Sequence, residues 1–127
     1  MTEENSIRPT ELRVSKDKRT LTVQFEDGSR FALPAEALRV LSPSAEVQGH
    51  TPSQRVTVPG KRNVQIVGVE PVGNYAVMIT FDDMHNTGIF TWAYLWELGT
   101  EFDSRWSGYL AELEAKGMTR DRVDTPR

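Results

Sequence analysis

The apolar residues of this chain change their spacing at Thr91, and that change limits the folds open to it. Before it they mostly alternate, the two-residue period of a strand with one buried face. Leu12 and Val14 alternate, Leu21, Val23 and Phe25 do so again, and Asp27-Gly28 supplies a tight hairpin back through Phe31 and Leu33. A three-strand meander is expected there. Pro34 then opens a short helix over 35–41, stopped by Ser42-Pro43. Two further strands are expected over 64–69 and 75–81, and Ile89-Phe90 resumes the sheet after a polar turn. From Thr91 the period is helical. A helix over 92–98, capped by Thr91 and closed by Gly99, precedes a longer one capped by Thr100. Phe102, Trp106, Tyr109, Leu110 and Leu113 form its apolar stripe. Strands first and helices last predict an α+β domain, a small antiparallel β-sheet with helices packed on one face.

A chain of 127 residues is the size of one domain. Residues 9–117 are expected to fold. The polar stretches 1–8 and 118–127 lack apolar periodicity and are expected to be flexible tails. The absence of Cys excludes disulfides, thiolate metal sites and cysteine nucleophiles. A net charge of −3 gives no general attraction to nucleic acid or anionic membrane. The opening MTEENS has neither the basic residues nor the apolar stretch of a secretory signal. The longest apolar runs of the chain, Tyr75 to Ile79 and the equally long Trp92 to Trp96, fall far short of the ~20 residues of a membrane helix. A cytoplasmic location is expected, with no membrane or nucleic-acid partner.

His85 beside Asp82 and Asp83 is the most chemical-looking cluster, since imidazole and carboxylate are natural metal ligands and proton carriers. The same residues suit a hairpin turn, and adjacent Asp residues on an extended strand project to opposite sides. His50 stands alone in a loop. Ser42, Ser44 and Ser53 sit in no nucleophile elbow, and the glycines form neither a dinucleotide fingerprint nor a P-loop. Arg39, Arg55, Lys61 and Arg62 form a basic group suited to an acidic partner or a phosphate, or to a solvated face. Among the aromatics of the helical end, Trp92 and Trp96 are the interface candidates, with core packing as the other reading.

Two regions also resemble a known family. One is LRVLSPSAEVQGH at 38–50; the other joins KRNV at 61–64, VEPVGNYAV at 69–77 and FDDMHNTGIFTWAYL at 81–95. Their order, a PAEALR helix, an SPSAEV loop and an H-x-x-G-I-F-x-W segment, resembles the family named for the N-terminal domain of gamma-butyrobetaine hydroxylase, over about residues 10–117. The resemblance implies a compact α+β domain. In the carnitine-pathway hydroxylases such a domain precedes an iron- and 2-oxoglutarate-dependent catalytic domain. In some plastid and bacterial proteins it is attached to a P-loop iron–sulfur carrier. The hydroxylases' domain also holds a structural zinc through a Cys-x-Cys-x-x-Cys loop and a distant His. His85 matches that His, whereas Ser42, Ser44 and Val47 stand where the thiolates would be.

Together these readings give a non-catalytic interaction or accessory module with another protein as partner, linked by the resemblance to iron–sulfur or oxygenase proteins. The alternative is a metal-binding protein or small metal-dependent enzyme using His85 with Asp82 and Asp83. No cofactor is expected under the first reading; zinc or iron is the metal under the second.

Overall fold

A computed structural model describes residues 8–43, 57–83 and 86–121. It has the expected α+β class, but the strands divide into two sheets. The first is an antiparallel meander of β1 (Pro9–Val14), β2 (Thr20–Phe25) and β3 (Arg30–Pro34). The second joins β4 (Ile66–Val72), β5 (Ala76–Phe81) and β6 (Asn86–Thr91), also antiparallel and in chain order. Three helices complete the described residues: α1 (Ala35–Val40), α2 (Trp92–Thr100) and α3 (Phe102–Ala115).

Alternation places the core as expected. Leu21, Val23 and Phe25 of β2 are buried, and their partners Leu33 and Phe31 lie on the same side. In the second sheet Val77, Ile79 and Phe81 of β5 are buried, with Phe90 of β6 and Ile66 of β4 opposite. Leu95 and Leu98 of α2 and Tyr109 and Leu113 of α3 join both sheets in one apolar cluster. The sheets also meet through polar links. Ile66 donates its N–H to Lys18 O at 2.7 Å, and Gln65 Nε2 donates to Asp17 O at 3.0 Å. Those bonds fix the start of β4 beside the β1–β2 turn.

The helices depart from expectation in three places. Gly99 does not end α2, which runs one residue further to Thr100. A Cβ at this position would lie 2.3 Å from Phe31 Cγ, so the glycine serves close packing of helix on sheet, not chain reversal. Thr100 does not cap α3; Glu101 takes that place, and the Thr100 hydroxyl donates to Glu97 O. Leu110 is exposed, so the stripe of α3 is the narrower set Phe102, Trp106, Tyr109 and Leu113, at offsets 4, 7 and 11. Thr91 does cap α2, its hydroxyl accepting from Tyr94 N at 3.0 Å.

All six residues of α1 are buried, Glu36 and Arg39 included. A buried charge needs a partner. Both partners come from far along the chain, and they build the site.

Candidate ligand cleft

Glu36 is met by the segment after α3. Gly117 takes a φ of +66°, the left-handed turn that glycine allows at low cost, and sends the chain back over the domain. Residues 118–121, which their polarity assigned to a fraying tail, form a strap. Gly60 N donates to Thr119 O and Arg62 N to Arg120 O, each at 3.0 Å. Arg120 grips Glu36 with two bonds, of 2.8 and 2.7 Å, and lies 5.3 Å over the Trp106 ring. The Glu36 bond, ahead of the other contributions, raises the Arg120 guanidinium above its ordinary pKa. Arg62 pairs with Asp121 on the same strap. Tyr109 donates its hydroxyl to Val58 O at 2.5 Å; burial first, then the Glu36 charge, push its phenol up to about 12.

Arg39 is met by Asp83, at the end of β5. Its Nε donates to Asp83 Oδ2 at 2.9 Å, and Lys61 Nζ donates to the same oxygen at 2.6 Å. Burial alone would raise the Asp83 carboxyl. Hydrogen bonds from Lys61 and then Arg39, backed by their charges, outweigh it and hold the group below the usual carboxylate range. Asp82 turns elsewhere: its Oδ1 accepts the Gln65 N–H at 3.1 Å.

Between loop 59–64, the end of β5 and the strap lies an open cleft of about 910 Å³. Pro59, Lys61, Asp82, Asp83, Met118 and Asp121 are among its walls. The volume is that of a small-ligand site or a groove for a peptide segment.

The fold thus joins Arg39 and Lys61 on Asp83 and sets Arg62 on the strap contact. Arg55 and His85 lie outside the described residues, as do His50, Ser44 and Val47. Asp82 and Asp83 diverge, and among the described residues no three of His, Cys, Asp and Glu gather as metal ligands. Trp92 donates its indole N–H to Asn74 O at 2.9 Å. Trp96 packs edge-on against Phe25 and Phe31, at 5.3 and 5.6 Å between centroids. Neither tryptophan lines the cleft. Sequence reasoning missed the strap residues. A basic residue 84 positions from an acidic one carries no local signal that they meet.

A family model described as gamma-butyrobetaine hydroxylase-like, N-terminal, matches residues 12–96. The chain belongs to that family. The match ends within α2, but likeness to solved structures runs further. A protein solved by NMR shares 49% identity, with 93% of each chain covered and a TM-score of 0.78. A second NMR structure shares 39% identity, covers all of this chain and 96% of its own, and has a TM-score of 0.80. A crystal structure of a protein with unknown function in the DUF971 family, from Acidithiobacillus ferrooxidans, also shares 39%. It covers 78% of this chain and 98% of its own, at a TM-score of 0.62. No curated protein matches.

The zinc that the family resemblance implies does not suit these residues. Structural zinc takes four thiolate, imidazole or carboxylate donors. Ser42 and Ser44 offer neutral hydroxyls and Val47 offers none. Ser42, the one of the four matching positions among the described residues, is fully buried.

The Asp83 cluster predicts a pH dependence. A carboxyl whose folded pKa is depressed stabilises the fold above its unfolded pKa, near 3.9, and that stability is lost as pH falls through the lower folded value. The parent should exceed Asp83→Asn in urea unfolding by on the order of 1 kcal/mol at pH 7. The gap should stay level down to about pH 5 and close below about pH 4. A gap of constant size at every pH would assign the loss to packing instead.

Proposed function

We propose that this domain is a non-catalytic recognition module that binds another protein through the cleft between loop 59–64 and the strap. Iron–sulfur and oxygenase proteins of the cytoplasm are the partners its family suggests. No helix among the described residues is long and apolar enough to cross a membrane. The supporting observation is how the cleft's charges are used. Asp83 is held by two cations, Asp121 by Arg62, and Asp82 by a backbone N–H. Groups tied in this way hold fixed positions on a surface that a partner would meet. Met118, exposed at the cleft wall, adds an apolar contact that a partner side chain would cover.

The test is capture from host cytosol on the immobilised parent and on Met118→Glu, read by quantitative mass spectrometry. A partner held by the parent and lost by the variant is the expected result. Equal capture by both would put recognition elsewhere on the surface. Elemental analysis of the untagged protein addresses the metal alternative, and one equivalent of zinc or iron would overturn the cofactor-free reading.

A further inference from the structure

We infer that Arg39 and Lys61 form an oxyanion-binding subsite at the wall of the cleft, which takes a carboxylate or phosphoryl oxygen of the ligand. This deepens the recognition reading above and rests on the cleft being the binding surface. Two independent observations carry it. The first is a donor without an acceptor: among the described residues, Arg39 Nη1 is the buried side-chain nitrogen with no hydrogen-bond partner. Native interiors rarely leave such a group unmatched, and one belonging to a cation is the costliest kind. The second is the arrangement of charge. Arg39 and Lys61 both bond Asp83 Oδ2, so two cations converge on one carboxylate oxygen.

Other carboxylates on the cleft wall are directed elsewhere, Asp82 to Gln65 N and Asp121 to Arg62. Access is provided by Lys61, which lines the cavity and carries three N–H donors, one of them given to Asp83. Arg39 does not itself line the cavity; it reaches the wall through Asp83, which does, and its side chain is only 6% exposed. An anion oxygen that joins or displaces Asp83 would take the Nε–H, and the same guanidinium carries Nη1 as a further donor still without an acceptor. Asp83 is then a resident competitor, an internal carboxylate occupying part of a site built for an external one.

The experiment titrates isotope-labelled protein with inorganic phosphate and, separately, acetate, with sodium chloride holding ionic strength constant. Saturable NMR shifts at Lys61, Asp83 and the Arg39 Nε–H are expected, with half-saturation at roughly 1–10 mM for the tighter anion. Phosphate as the tighter anion identifies a phosphoryl ligand, and acetate a carboxylate. Lys61→Gln should weaken binding about tenfold, and Asp83→Asn, which removes the competitor, should tighten it about tenfold. Shifts that stay linear, or that saturate identically in Lys61→Gln, would overturn the subsite. Should Lys61→Gln fold poorly, Asp83→Asn decides: affinity that fails to rise overturns the assignment. Anion binding and partner capture are separate readouts, so the subsite fails alone if a partner is captured through a cleft that binds neither anion.

Discussion

Replacing Arg120 by Leu is expected to cost the domain about 3 kcal/mol of stability. Glu36 sits on the wholly buried α1 with 5% of its surface exposed, and Arg120 supplies both of its charge-assisted bonds. Removing one partner of a buried pair leaves the other charge without compensation, which commonly costs about 3–5 kcal/mol. The lower end applies because the Arg120 side chain is 30% exposed and water can enter where it stood. Loss of the guanidinium from the Trp106 face adds a smaller penalty in the same direction. Against a typical total of about 5–15 kcal/mol, such a loss is large. Adding Glu36→Gln to the Leu variant removes the stranded charge and should recover a substantial part of the stability. Urea unfolding of the four proteins in a double-mutant cycle measures this coupling. An Arg120→Leu protein within about 0.5 kcal/mol of the parent would show that the strap contributes nothing to the fold.

That prediction was out of reach of sequence reading for a physical reason. The strap residues are polar apart from Met118, and such a stretch without periodicity looks alike whether it frays or fastens. By contrast, the meander was legible because its signals are local: alternation at 21, 23 and 25, an Asp-Gly turn, then alternation again. Thr91 was legible for the same reason, since a cap bonds within three residues of itself. Leu110 was misplaced because an apolar residue beside a stripe fits the pattern equally well on either side of its edge.

The cleft shows the same division at the level of function. Asp83, Arg39 and Lys61 all stood out in the sequence, but as members of different groups, one acidic with a histidine and one basic. Separations of 44 and 22 residues hide the fact that the carboxylate and the cations neutralise one another. The fold makes Asp83 the counter-ion of Arg39 and Lys61. The same arrangement leaves Arg39 Nη1 without an acceptor, the observation on which the proposed oxyanion subsite rests.

The second large effect is expected at Gly99, where Ala should destabilise by about 2–3 kcal/mol although it is the better helix former. The new methyl carbon would meet Phe31 Cγ at 2.3 Å, Cδ2 at 2.4 Å and Cδ1 at 2.7 Å, distances no carbon pair sustains. These atoms include the root of the ring, so rotation about the ring axis brings no relief. Phe31 must instead swing outward, away from Phe25 at 6.0 Å and Trp96 at 5.6 Å, and lose both edge contacts. Alternatively α2 must lift from β3, which opens the core around Leu95 and Leu98. Either route exceeds the roughly 0.5–1 kcal/mol that Ala gains over Gly in a helix interior. Gly108 provides the internal comparison, since a Cβ there meets nothing within 4 Å and the residue lies exposed in α3. Gly108→Ala should stabilise by about 0.5–1 kcal/mol. Thermal and urea unfolding of the two variants should therefore move in opposite directions from the parent. A Gly99→Ala protein that melts with or above the parent would mean that Phe31 yields freely, and that the glycine marks nothing about how α2 is seated.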